Sequence, residues 1–413
     1  MAFHHVEGRL TCDGVALDDI ARAAGTPVHV YSAATIVDRY HALDHAIGEY
    51  PHRLHYAMKA NSTLAIVRLM RDLGASVDAN SGGEIEVAVR AGFAPPDIVF
   101  TGVGKTGAEL DLAVGLNLSA INVESSGEME RIAARAQARN TRARVAVRIN
   151  PDVDAGSHPH ISTGLLDTKF GMTVGDAAAM IRTMARHPHL RVVGLHVHIG
   201  SQVTTVEPLT RAAETISQLA RTLAGEGIQL EHVDLGGGLG VAYEPDQKIL
   251  SVEEYAAAIL PAIRSSGLKL LLEPGRWIVG PAGVLVTAVV DLKPKPAGGC
   301  FVIVDAGLTD LLRPALYGAW HGIEAVAPRP GQSIQADIVG PVCETSDTLG
   351  RGRTLPPTRV GDVLAIRDTG AYGAVMASNY NRRPIASEVL VESGEWRTIR
   401  HRQTIDDMLQ WDA

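Results

Sequence analysis

The sequence predicts an α/β chain: a (β/α)8 barrel followed by a mainly-β sandwich domain. Three observations carry that expectation. Between Leu54 and Leu272, short apolar runs alternate with stretches of helical spacing. After Gly280-Pro281 the helical spacing gives way to apolar runs separated by Gly/Pro turns. The C-terminal ends of the first set of runs collect charged and small residues, where barrels place their chemistry. The expected divisions are 1–30 as an N-terminal segment partly joining the β domain, 31–280 as the barrel, and 281–413 as the sandwich.

The elements follow in order. Residues 8–17 hold a short β pattern, Leu17–Ala24 a helix ending at Gly25, Val28–Tyr31 a strand, and 34–50 a helix. Eight barrel strands are expected at Leu54–Lys59, Ser76–Ala79, Ile98–Thr101, Ala120–Val123, Arg144–Ile149, Val192–Ile199, His232–Leu235 and Lys269–Leu272. Helical spacing separates them. The loop Asn150–Met172, rich in Gly, His and Asp, is long enough to suggest a functional loop. In the β region, strands are expected at Leu285–Leu292, Cys300–Val304, Ile334–Val339, Val363–Ile366 and Glu388–Val391.

Bulk properties bound the function. The 413 residues exceed one ordinary hydrophobic core. A formal charge of −8 argues against nucleic acid or an anionic membrane as partner. The three cysteines, Cys12, Cys300 and Cys343, lack paired or metal-ligand spacing, which fits a reduced compartment. No apolar run reaches membrane-spanning length and no signal-peptide pattern opens the chain, so a soluble cytoplasmic protein is expected.

Several residues carry chemistry. Lys59 closes the apolar run Tyr56-Ala57-Met58; it either snorkels to the surface or loses its charge, for example in a Schiff base with an aldehyde cofactor. Asp78 and Arg148 stand at other strand ends. Gly236-Gly237-Gly238, after the seventh strand, reads as a tight turn or as an anion-binding loop whose N–H groups face a phosphate. Glu273, opening Glu273-Pro274-Gly275-Arg276, is an ordinary ion-pair partner or the holder of a protonated pyridine nitrogen. His198 is a core histidine or stacks on a planar ring. His196 and His198 share a strand face, but no acidic ligand is evident beside them, so stacking ranks above a metal and no metal is expected. Cys343 is a buried small hydrophobe or, with acidic neighbours keeping it protonated, a proton donor. Arg313 offers a fork for a carboxylate or for a surface ion pair, and Tyr372 a phenol at a Gly-flanked turn.

The stretches YAMKAN, SGGE, INPDVDAGSHPHISTG, KFGM, HVHIGSQ, DLGGGLG, EPGR, LRPALYGAWH, CETSD, GAYG and SNYNRRP run in order from Tyr56 to Pro384. Together they resemble the fold-type III PLP-dependent decarboxylases, most closely the branch acting on diaminopimelate. The resemblance implies pyridoxal 5'-phosphate carried by Lys59. It implies that Asp78, Arg148, His198, Ser201, Gly236, Gly237, Gly238, Glu273, Pro274, Gly275, Arg276 and Tyr372 surround the cofactor. It places Arg276, Arg313, Tyr317, Glu344 and Tyr372 around an amino-acid substrate, with Cys343 as proton donor. It further implies a homodimer with shared active sites, Cys343 and Glu344 coming from the partner subunit, and conversion of meso-diaminopimelate to L-lysine and CO2. A sister decarboxylase acting on another carboxylate-bearing or carrier-linked amino acid is the alternative. Departures fall at Asn80, where an apolar residue is common, at Ser346, at Arg382–Leu390, and in the short or variable loops Lys293–Gly299 and Arg351–Thr358. They bear on substrate detail rather than on the cofactor.

Overall fold

The computed structural model describes residues 2–154, 168–296 and 298–412. The chain forms two compact units: Tyr40–Gly240 with Lys248–Gly275, and Met1–Arg39 with Val241–Gln247 and Arg276–Ala413.

The first unit is a closed parallel barrel. Its strands are His52–Ala57, Ser76–Ala79, Ile98–Phe100, Ala120–Val123, Ala143–Asn150, Leu190–Val197, His232–Asp234 and Lys269–Leu272. Each pairs with its sequence neighbour, and the eighth returns to the first through Leu272 opposite Leu54. The strands are short and nearly wholly buried, as parallel strands with helices outside and packed side chains inside must be. The connecting helices begin where a hydroxyl can accept an orphan N–H. Ser81, Ser125 and Ser251 do so, and Thr106 with Glu109 closes a capping box. Part of the long loop Asn150–Met172, residues 155–167, lies outside the described residues.

The second unit is mainly β. Its organising strand, Gly283–Pro294, pairs with Val28–Ser32, Val363–Ile366 and Cys300–Val304. The period of two sorts its side chains between two cores. Val284 and Val286 enter one with Leu10, Val30 and Val389; Leu285 and Val289 enter the other with Val302, Leu311 and Ile338. Val363–Ile366 divides the same way, Ala365 into the first core, Leu364 and Ile366 into the second. Among the described residues of this unit, four further strands were not expected from sequence: Phe3–Val6, Ile323–Ala325, Thr348–Leu355 and Glu395–Arg400. The variable loop expected at Arg351–Thr358 is therefore largely strand, held in register by Ile334–Val339.

Candidate active site

The barrel unit assembles one group of polar side chains at the C-terminal strand ends. Lys59 lies in the single 3-10 turn Met58–Ala60 directly after the first strand. Its Nζ is 3.6 Å from Asp78 Oδ2 and 3.4 Å from Asn80 Oδ1. Asp78 is wholly buried; burial, then the nearby Glu273 carboxylate, pushes it up to about 6 against the pull of Lys59. Glu84, one turn into the next helix, accepts the Asn80 backbone N–H at 2.6 Å, and burial pushes its carboxyl up to about 7.

Glu273 follows the eighth strand, buried with Thr101 and His196. His196 Nε2 is 3.3 Å from Oε2, and the Thr101 hydroxyl donates to Oε1 at 3.4 Å. Burial opposes charge on Glu273, yet the His196 imidazole and then Lys59 outweigh it and hold the carboxyl below its ordinary range. Asp234, buried at the end of the seventh strand, goes the other way: burial first and Glu273 second push it well above the usual value. Donor placement agrees, because Glu273 receives the imidazole and the hydroxyl. His196, Asp234 and Glu273 each bring a polar atom within 4.8 Å of the others. The expectation that no acid lies beside His196 is corrected here. The acids are remote in sequence and arrive on the next strand, for Asp234, and just after the one beyond it, for Glu273.

The glycine loop is fixed by what surrounds it. Gly236 and Gly238 have φ of 64° and 104°, a region that side chains disfavour, and a Cβ on Gly237 would strike the Glu273 carbonyl oxygen. The Gly236 N–H is spent on Asp234 Oδ1 at 2.8 Å and the Gly237 N–H on His198 Nδ1 at 3.2 Å. This narrows the expectation that all three N–H groups face an anion. The same bond fixes His198 as an acceptor at Nδ1, and burial, then Lys59 and Arg148, hold its ring neutral. Val203 donates to the Gly238 carbonyl at 2.7 Å, tying the loop that carries Ser201 to the glycine loop. Gly275 leaves room for Ala57 and Ala60, which a Cβ would meet at 3.1 and 2.9 Å, and the Pro274 carbonyl accepts from Ala57 N–H at 3.1 Å. Arg148 forms a buried pair with Glu124 at 2.6 Å, and Glu124 also accepts the Gly171 N–H at 2.7 Å.

The β unit assembles a different group. Arg276 and Arg313 are both buried. Arg276 donates to the Tyr243 hydroxyl at 2.6 Å and lies 4.8 Å from the centre of the Tyr372 ring. Arg313 lies 4.4 Å from the Tyr243 ring centre and donates to His321 Nε2 at 2.8 Å. His321 Nδ1 donates to the Arg367 carbonyl at 2.7 Å, so the ring is neutral; burial and Arg313 push it down to about 3. Tyr317 ends the short helix Arg313–Tyr317. Tyr372 adopts a positive φ of 56°. Cys343 and Glu344 are exposed, not buried in their own unit. Asn381 Oδ1 accepts the Cys343 N–H at 3.2 Å, and Tyr380 donates to Glu344 at 2.6 Å. Asp347 anchors this loop by accepting the Leu308 and Val342 N–H groups at 2.6 and 2.7 Å.

Sequence reasoning missed Asp234, Tyr243 and His321. Asp234 stood inside the DLGGGLG stretch, hidden by its glycines. His321 closed the LRPALYGAWH stretch eight residues after Arg313, with no signal of its role. Tyr243 sits in a segment without periodicity, and only the fold joins it to the arginines.

Residues 33–280 match the family described as pyridoxal-dependent decarboxylase, pyridoxal binding domain. The chain is 45% identical over 403 residues to the diaminopimelate decarboxylase of Vibrio cholerae, covering 97% of this chain and 96% of that one. It is 40% identical over 405 residues to that of Aquifex aeolicus, covering 98% and 96%. Among solved structures, it superimposes on Helicobacter pylori diaminopimelate decarboxylase complexed with L-lysine with a TM-score of 0.92 at 40% identity, covering 95% and 98%. The M. jannaschii diaminopimelate decarboxylase in co-complex with L-lysine gives 0.95 at 37%, covering 100% and 98%. Fold, strand-end chemistry and likeness over nearly the whole length agree, and the chain belongs to the diaminopimelate decarboxylase family of pyridoxal-dependent decarboxylases.

Proposed function

We propose that this protein binds pyridoxal 5'-phosphate and removes CO2 from meso-diaminopimelate, giving L-lysine. The observation that carries the reading is that Lys59 and the buried Glu273, which faces His196 and accepts from Thr101, both stand at C-terminal strand ends of one barrel. The donor set fits the cofactor. Lys59 offers an amine for the aldehyde. Glu273, kept charged by His196 and Thr101, offers a carboxylate for a protonated ring nitrogen. The glycine loop and Ser201 lie where barrels of this kind hold phosphate.

When bound, the cofactor supplies an electron sink for the bond to the departing carboxylate. Lys59 would hold it through its amine, and Glu273 would face the ring nitrogen and favour its protonated form. His198, fixed by the Gly237 N–H, presents a neutral face for stacking; Asp78 and Arg148 with Glu124 frame the floor of the site. Arg313 and Arg276, with Tyr317, Tyr372 and Glu344, bind the substrate's polar ends. Arg313 is buried against Tyr243 and donates to the neutral His321, with the Asp368 carboxylate near enough to interact; a guanidinium so placed suits an incoming carboxylate and disfavours substrates whose far end is cationic. Cys343 returns a proton to the carbon that lost CO2. Its exposure on its own unit supports a role at a partner's site, so the working form is a homodimer with shared sites, in the cytoplasm.

Product analysis tests the reading. Purified protein with added cofactor, given meso-diaminopimelate, lysine and ornithine separately, releases one CO2 per L-lysine from the first only. Faster CO2 release from lysine or ornithine overturns the substrate assignment.

A further inference from the structure

Asn80, a polar residue where the family resemblance leads to an apolar one, touches the lysine on which the proposed reaction turns. Its amide is oriented by its partners. Nδ2 donates to Asp78 Oδ2 at 2.9 Å, so Oδ1 faces the Lys59 ammonium at 3.4 Å. Its backbone is pinned as well, because its N–H reaches Glu84 Oε2 at 2.6 Å and the next residue, Ser81, caps the following helix. The amide therefore spans a buried acid and a half-buried amine on a rigid strand end.

We infer that Asn80 is a positioning residue for Lys59: its amide carbonyl and the Asp78 carboxylate together form the resting place of the lysine amine when the substrate amine has displaced it. An apolar residue there would take one acceptor away from the amine. The amide adds an acceptor without adding charge, so it holds the ammonium while leaving proton loss accessible. The inference rests on Lys59 being the cofactor-bearing lysine. The charged and titratable groups facing that amine are Asp78 from the second strand, Glu84 from the helix after it, His198 after the sixth strand and Glu273 after the eighth. All remain in the variants below, so a change reports Asn80.

The test is the pH dependence of Lys59 acetylation in the full-length protein freed of cofactor, read by peptide mapping, for wild type, Asn80→Val and Asn80→Asp. Removing the acceptor weakens the ammonium form, so Asn80→Val is acetylated about three- to tenfold faster at neutral pH. Adding a carboxylate strengthens that form, so Asn80→Asp is acetylated more slowly. Opposite displacements of the two profiles support the inference; superimposed profiles, or both displaced one way, overturn it. Unchanged acetylation of Lys105 in all three proteins shows that the fold is intact. Borohydride reduction of the reconstituted proteins separately reports which lysine carries the cofactor. If that lysine is not Lys59, the functional reading fails whatever the profiles show; if it is and the profiles coincide, only the role of Asn80 fails.

Discussion

The two units bury charge in opposite ways. The barrel gathers acids: Asp78, Glu84 and Glu273 lie near Lys59, Asp234 lies beside Glu273, and of the four only Glu273 is held below its ordinary range. The β unit gathers guanidinium groups: Arg276 and Arg313 are buried among tyrosines and a neutral histidine. The difference teaches which sign of charge each unit favours: the barrel's acids suit cationic groups, while the β unit's arginines suit carboxylates.

Four experiments break or sharpen that contrast. The largest effect is expected for Lys59→Ala, which abolishes decarboxylation, and for Cys343→Ala, which nearly does. If the units of different subunits complete one site, mixing these two inactive proteins under subunit exchange restores about a quarter of wild-type activity, since about half the dimers are mixed and each holds one intact site. No recovery, with mixed dimers confirmed by mass spectrometry, rules out sharing.

Next is Arg313→Ala. Losing a buried, charge-assisted contact costs about 2–5 kcal/mol in turnover of diaminopimelate while the cofactor stays bound. Wild-type efficiency in steady-state kinetics would break the link between the β unit's arginines and a second carboxylate.

A smaller effect concerns acid stability. Burial, chiefly, lowers His232 in the barrel from 6.5 to about 4. The folded protein therefore resists a proton that the unfolded chain accepts. The sign is that this stability is present above 6.5 and is lost as pH falls through about 4. His232→Gln should flatten the acid limb of the denaturation midpoint by about 1–3 kcal/mol over that window. An unchanged slope removes His232 from the acid response.

The smallest effect is expected from the exposed pair Arg182–Glu226, joined at 2.7 Å. Arg182→Ala should leave the chemical denaturation midpoint nearly unchanged and turnover untouched. A large loss would show that surface charge matters more than the buried groups.

Much of the barrel was legible in the sequence because its strands are wholly buried and its helices amphipathic, which leaves two clear periods. Ser76–Ala79, Ala120–Val123 and Lys269–Leu272 fall where the pattern places them. The β unit was less legible. Thr348–Leu355 reads Thr-Leu-Gly-Arg-Gly-Arg-Thr-Leu, and its extended form comes from pairing with Ile334–Val339 rather than from its own composition. The same limit applies to the site. Lys59 and Glu273 stand at strand ends and could be found one at a time. The placement of Asp234 against Glu273, and of Tyr243 against Arg313, depends on segments distant in sequence that only closure of the fold joins.

The most direct measurement is the site of covalent attachment. Borohydride reduction of the cofactor-loaded protein, followed by peptide mapping, should place the pyridoxyl label on Lys59, in the peptide carrying Tyr56-Ala57-Met58-Lys59-Ala60-Asn61. A label on another lysine, such as the buried Lys105, or no label at all, would contradict the account.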